Sequence, residues 1–240
     1  MNYSLFYVFI LLTFSFCGND SVEKKALEPI FKVKLKIAEP SGIAFYKDHL
    51  YIVSDRKQFI YKTNLEGKMV AKIPSTLSGL EGITFDANGN ILVVDEDNRA
   101  LIKIDTTGKI LFKTKIKGKQ KEENSGLEGI CYNSKNDSYY LLNEKSPKEI
   151  LNISADGTIL NTLKISFAKD LSGICFDAET TNFWLLSDES EAIYLINEHG
   201  KLLNIYTIPV KKPEGIVVVN DKMYVVSDKL KSLFIFKKPD

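Results

Sequence analysis

The sequence predicts an all-β fold, a five-bladed β-propeller with four-stranded blades, and three observations carry that prediction. A glycine-centred motif recurs as Ser41-Gly42-Ile43, Glu81-Gly82-Ile83, Glu128-Gly129-Ile130, Ser172-Gly173-Ile174 and Glu214-Gly215-Ile216. Its glycines are 40, 47, 44 and 42 residues apart, the length of a propeller blade. Each unit divides into four short apolar or alternating runs, and no segment shows a helical period. The last unit stops at Asp240, one strand short, while Phe31 to Ile37 reads as a fourth strand with no blade of its own. A ring in which the N-terminal strand completes the last blade accounts for both and leaves no open sheet edge. A β-sandwich, the rival fold, predicts no such regular phase.

Residues 1–17 read as a signal peptide of the lipoprotein type. The first sixteen residues carry no charge, and Leu5 to Phe16 is an apolar run too short to span a bilayer. The run ends at Cys17-Gly18-Asn19-Asp20, with Cys17 placed to become the lipid-bearing first residue of the mature chain. Residues 18–28 read as a linker and 29–240 as the propeller.

Within each unit the first strand follows the glycine, as in Ile83-Thr84-Phe85. A turn such as Asp86-Ala87-Asn88-Gly89-Asn90 comes next, with Asn and Gly tolerating positive φ. The second strand ends on an acid in every unit: Asp55, Glu96, Glu144, Asp188 and Asp228. The third strand leads, in four units, to a tight turn at Gly67, Gly108, Gly157 or Gly200. The fourth strand then ends on Ile73, Ile116, Ile165 or Ile208. The glycines of the motif are expected where the crowded inner end of a blade needs positive φ or close backbone approach. Trp184 and the tyrosines at its position in other units read as packing between blades.

Composition narrows the function. The formal net charge is +1, and the lysines are scattered singly, so a nucleic-acid binder is not expected. Cys131 and Cys175 stand two residues after a repeat glycine, where other units have Ala44, Thr84 and Val217. All five are small, which suits a tight slot in which cysteine acts as a small hydrophobe. No Ser-His-Asp arrangement is visible, because His49 and His199 both fall in turns.

The phase of the repeat gathers the acids. In an antiparallel pair the start of the first strand lies beside the end of the second. Glu81, Glu128 and Glu214 should therefore meet Asp55, Glu96, Glu144, Asp188 and Asp228 around one mouth of the channel, with Ser41 and Ser172 in the two remaining motif positions. Such a ring calls for raised pKa values, nearby cations from the chain, or a bound metal. Arg56, Arg99 and Lys145 follow the acids closely and are candidates for pairing. The donors are all oxygens, which suits Ca2+ over zinc or copper. A strand-end acid also serves to hydrogen-bond the amides of the following loop, so the five second-strand acids carry two readings.

The order Ser-Gly, Glu-Gly, Glu-Gly, Ser-Gly, Glu-Gly resembles the SdiA-regulated (YjiK-like) bacterial propeller family. Glu144-Lys145-Ser146-Pro147 resembles its Glu-Lys-x-Pro signature, and Leu186-Ser187-Asp188-Glu189-Ser190 and Val226-Ser227-Asp228 fall where the family has similar strings. The resemblance runs from Pro29 to the end. It implies an envelope-associated propeller with calcium in or near the channel and a link to calcium response or signalling. The Glu-Gly motif is also similar to that of gluconolactonase-like and strictosidine-synthase-like propellers, where such a glutamate helps hold a catalytic metal, although those have six repeats.

Two functions are therefore expected to compete. One is a monomeric, lipid-tethered, metal-binding sensor or interaction module of the bacterial cell envelope, with a metal ion and the membrane as its partners. The other is a metal-dependent hydrolase of a lactone, ester or phosphate ester, with Glu81, Glu128 or Glu214 as ligand or base.

Overall fold

The computed structural model describes residues 22–118 and 126–239. Among these residues there is no helix, and the strands form five sheets. Two N-terminal strands, β1 (Lys24–Ala26) and β2 (Phe31–Lys34), precede the first repeat motif. Blade one then consists of Pro40–Tyr46, His49–Ser54, Phe59–Thr63 and Met69–Pro74, and blade two of Leu80–Phe85, Ile91–Asp95, Ala100–Ile104 and Ile110–Lys115. Blade three is Leu127–Asn133, Ser138–Asn143, Glu149–Ile153 and Ile159–Lys164. Blade four is Gly173–Asp177, Asn182–Ser187, Ala192–Ile196 and Leu202–Thr207. Blade five has Pro213–Val219, Lys222–Ser227 and Ser232–Lys237, and β2 pairs antiparallel with its third strand to complete it. The five-bladed propeller closed by an N-terminal strand is the architecture the repeat phase predicts.

Two details differ from that reading. The borrowed strand ends at Lys34, and the segment read as a linker, 18–28, contains β1, which pairs parallel with Leu202–Thr207. Blade four therefore has five strands, not four. All three residues of β1 are exposed, so no apolar alternation announces the strand. Cys17 and the rest of the predicted signal peptide lie outside the described residues.

The motif glycines serve close approach, and positive φ plays no part. A Cβ on Gly82 would strike the backbone oxygen of Glu128 in the next blade, and one on Gly42 would strike that of Glu81. A Cβ on Gly215 would lie 2.9 Å from the backbone nitrogen of Ile43, so blade five meets blade one and the ring is closed. Apolar side chains from adjacent blades fill the spaces between sheets, as where Trp184 and Tyr206 pack with Tyr224, Val217 and Leu233. Trp184 is buried, as its reading as packing requires.

The two cysteines of the predicted slot are free, and both are buried. The Cys175 sulfur accepts from the amide of Val218 at 3.3 Å, the place where Thr84 Oγ1 accepts from Tyr132 at 3.2 Å. Burial pushes the Cys175 thiol up to about 12 and the Cys131 thiol well above its usual value, so neither is a nucleophile at neutral pH.

Candidate functional site: the carboxylate mouth

Every predicted acid lines one mouth of the channel. Glu81, Glu128, Glu214, Asp55, Glu96, Glu144, Asp188 and Asp228 surround a cavity of about 490 Å3, together with Ser41, Ser172 and two further acids, Glu39 and Asp170. These two stand two positions before a motif serine. Each blade thus supplies two carboxylates: one from the inner strand or the residues just before it, and one from the far end of the second strand. The repeat held the signal for the added pair. The offset of two before the motif reads Glu39, Gly79, Gly126, Asp170 and Lys212, acidic in the two units whose motif residue is serine.

The second-strand acids stand one residue beyond the strand, in the turn, and their two readings separate there. Turn capping falls to the residue before each acid. Ser54 Oγ accepts from Lys57, Asp95 from Asn98, Ser187 Oγ from Ser190 and Ser227 Oγ from Leu230, all at 3.0–3.1 Å. In blade three the Asn143 amide instead donates to the carbonyls of Lys145 and Pro147. The acids themselves are held by their own backbone. The amides of Asp55, Glu96, Glu144 and Asp228 donate at 3.0–3.3 Å to the carbonyls of Glu39, Gly79, Gly126 and Lys212. Of these acids, Glu96 also serves a loop amide, accepting from Gly126 at 3.0 Å.

The two motif serines are spent on the scaffold. Ser41 Oγ donates to the Leu80 carbonyl and Ser172 Oγ to that of Pro213 at 2.9 Å, each tying its blade to the next. Asp170 also leans toward structure, accepting from Ser187 Oγ and from the Glu189 amide.

Few cations offset this charge. Lys145 bridges Glu144 at 2.8 Å and Glu189 at 2.9 Å, as expected from its position. Arg56 and Arg99 do not pair with the mouth acids they follow. Arg56 reaches Glu39 at 3.2 Å from the exposed rim, and Arg99 donates to Asn143 Oδ1 at 2.6 Å. The second cation is Lys212, which the sequence reading missed; it sits 3.3 Å from Asp228 and 3.7 Å from Glu214. Ten carboxylates thus face two lysines among the residues lining the cavity.

The electrostatic consequence is a set of carboxylic acids that ionise late. Burial, then the charges of Asp55 and Glu214, hold Glu81 well above its usual value. Glu128 is raised in the same way by burial and by Glu81 and Glu214. Burial and Asp188 raise Glu214 to about 8 against the opposing pull of Lys212. Burial also raises Asp55, Glu96, Glu144 and Asp188, offset at Glu96 by the Gly126 amide and at Glu144 by Lys145.

The residues fit a hard cation. Glu96, Glu128 and Glu144 each offer an oxygen within 4.8 Å of the others. Two oxygens on one calcium ion lie at most about 5.2 Å apart, twice the longest usual bond. Glu144 is 9% exposed, and its Oε2 is buried without a hydrogen-bond partner. An orphaned carboxylate oxygen is costly unless something not covalently part of the chain meets it. His49 and His199 are absent from the lining, so no soft donor contributes.

Comparison with solved structures returns propellers. A glutaminyl cyclase from Myxococcus xanthus superposes with a TM-score of 0.70 at 12% identity, over 90% of this chain and all of that one. A gluconolactonase from Xanthomonas campestris gives 0.60 at 12% identity, over 86% of this chain and 79% of its own. Virginiamycin B lyase from Staphylococcus aureus gives 0.51 at 18% identity, over 88% and 74%. At such identities the likeness is one of fold. The sequence itself matches a family model over residues 27–236, nearly the whole described chain, and by that match the protein belongs to the SdiA-regulated family.

Proposed function

We propose that this chain is a divalent-cation-binding propeller of the bacterial cell envelope, attached through lipid on Cys17, with calcium as the favoured ion. It acts as a sensor or interaction module. The observation that carries the metal reading is the trio Glu96, Glu128 and Glu144 with the unpartnered Oε2 of Glu144. These three would hold the ion, with Glu81 and Glu214 close enough to respond to its charge. A bound calcium would supply a positive centre able to accept an anionic group of a ligand. The chain holds Glu96 and Glu144 in place through the bonds of their amides to the carbonyls of Gly79 and Gly126. Lys145, already paired to Glu144 and Glu189, limits how far Glu144 can swing.

One observation favours a second reading, a hydrolase of a lactone, ester or phosphate ester. Glu214, raised to about 8, keeps its proton at neutral pH and could donate it to a leaving group. Propellers of this shape include a gluconolactonase and a glutaminyl cyclase. Calorimetric titration of chelated protein with calcium tests the first reading, which requires saturable binding that Glu128→Gln weakens at least tenfold. No binding sinks it. A panel of lactones, esters and phosphate esters tests the second, and turnover lost in Glu214→Gln with the fold intact would favour it.

A further inference from the structure

The direction of β1 bears on which mouth of the propeller faces the membrane. The third strand of blade four leaves the turn at Asp188, which lines the carboxylate mouth, so its outermost strand Leu202–Thr207 returns from the opposite face toward that mouth. β1 runs parallel to this outermost strand, with Lys24 beside Ile205 and Ala26 beside Thr207. The chain therefore enters β1 from the side away from the acids. Cys17 precedes Lys24 by seven residues. Fully extended, seven residues span at most about 25 Å, little more than the height of a blade. β1 lies beside the acid-side half of that strand, so to place the carboxylate mouth against the bilayer the tether would have to reverse its direction at Lys24.

A repeated apolar feature lies on the entry side. In four blades the outermost strand carries a β-bulge one or two residues after it leaves the turn at that face. The extra residue is Val70, Leu111, Leu160 or Leu203. Val70, Leu111 and Leu160 are 52%, 49% and 58% exposed. In blade five the equivalent place is taken by Ile30, 60% exposed, just before β2. Seven of the eight large exposed hydrophobic residues among those described lie at this end of the outer strands; Phe59 is the exception. Leu203 of blade four is only half-buried. Single exposed apolar residues are ordinary, but one in each of the other four blades at one rim is a girdle. The mouth on this side is lined by Tyr46, Phe85, Tyr132 and Phe176, whereas the other presents carboxylates that anionic headgroups repel.

We propose that β1 acts as an orienting strap: the chain sits on the lipid bilayer with its apolar rim in the headgroup region and its carboxylate mouth facing away. The arrangement rests on lipid attachment at Cys17, and it leaves the cation site open to soluble ions and partners.

The test uses the full-length lipidated chain in vesicles of phosphatidylethanolamine and phosphatidylglycerol. A fluorophore is placed through Thr106→Cys, exposed in the turn at the apolar rim, or through Lys229→Cys, exposed beside Asp228 at the acidic rim. The buried native thiols stay unlabelled. Brominated lipids are expected to quench the label at 106 and leave that at 229 bright. The reverse order, or equal quenching, overturns the orientation. Failure to float with the vesicles overturns the anchor, and a calcium titration of the same sample scores the metal reading separately. Leu111→Ser combined with Leu160→Ser should reduce quenching at 106 without loss of flotation; unchanged quenching removes the girdle from the proposal.

Discussion

Raising the pH of the chelated protein should destabilise it across a range where most proteins are at their steadiest. Glu214 ionises at about 8 in the folded chain against an ordinary 4.5. Between those values the folded state holds a proton that the unfolded state has released, so stability falls as pH rises through the window. Below 4.5 both states are protonated and the contribution is fully present; above about 8 it is gone. Each pH unit between the two values is worth about 1.4 kcal/mol, so Glu214 alone sets a scale on the order of 5 kcal/mol. Glu81 and Glu128 are raised too and add to the same slope. The acids held below their usual values, such as Asp86 by its bonds to Lys103 and Asn90, lose their contribution only at lower pH. For a domain of this size about 1 kcal/mol moves Tm by roughly 2–4 °C, so a fall of about 10 °C or more is expected between pH 5 and 8.5. Calcium should reverse part of it, since an ion at a hundred times its Kd contributes about 2.7 kcal/mol, roughly half of the Glu214 share, and should do little at pH 5, where protons hold the site. The assay is thermal unfolding by circular dichroism across pH, in EGTA and in excess calcium. A Tm in EGTA that is flat or rising from pH 5 to 8.5 would refute the reasoning, because the carboxylates would then be ionised and tolerated.

Other perturbations read the scaffold and the site separately. Gly82→Ala places a methyl against the Glu128 backbone oxygen and 2.8 Å from the Ile130 nitrogen, and should cost about 2–3 kcal/mol in urea unfolding. Gly200→Ala, where the nearest atom is 3.7 Å away, should cost only about 1–2 kcal/mol from its positive φ. Glu128→Gln should raise the stability of chelated protein at pH 8 and weaken calcium binding at least tenfold, about 1.4 kcal/mol, by calorimetry. Ser187→Ala removes the donor to Asp170 and the acceptor for the Ser190 amide; a loss of about 1–3 kcal/mol in urea is expected, and no loss would mean the turn is capped by other means.

The blade count and the site were legible for the same reason. A closed ring imposes one phase on the chain, and Gly42, Gly82, Gly129, Gly173 and Gly215 mark where neighbouring backbones crowd. Once the phase is known, the eight acids fall into one mouth. What stayed hidden lay outside the periodic strands or depended on side-chain choice. Asp170 and Lys212 sit in connections, where only their offset from the motif betrays them. Arg99 follows an acid in sequence yet turns to Asn143, because its side chain is long enough to choose among partners. The division of labour at each strand end, with Ser54 or Ser187 capping the turn so that Asp55 or Asp188 can face the cavity, needs coordinates. β1 has no apolar face and is specified by an edge strand far away in sequence.

The proposal of a cation at the carboxylate mouth is tested most directly by the metal content of the protein, purified without chelator and measured by plasma mass spectrometry before and after dialysis against EGTA. One calcium ion per chain, lost on dialysis, restored by added calcium and absent from Glu128→Gln, is the expected result. A chain that carries no divalent cation at any stage, and takes up none when calcium is supplied in excess at pH 8, would contradict it.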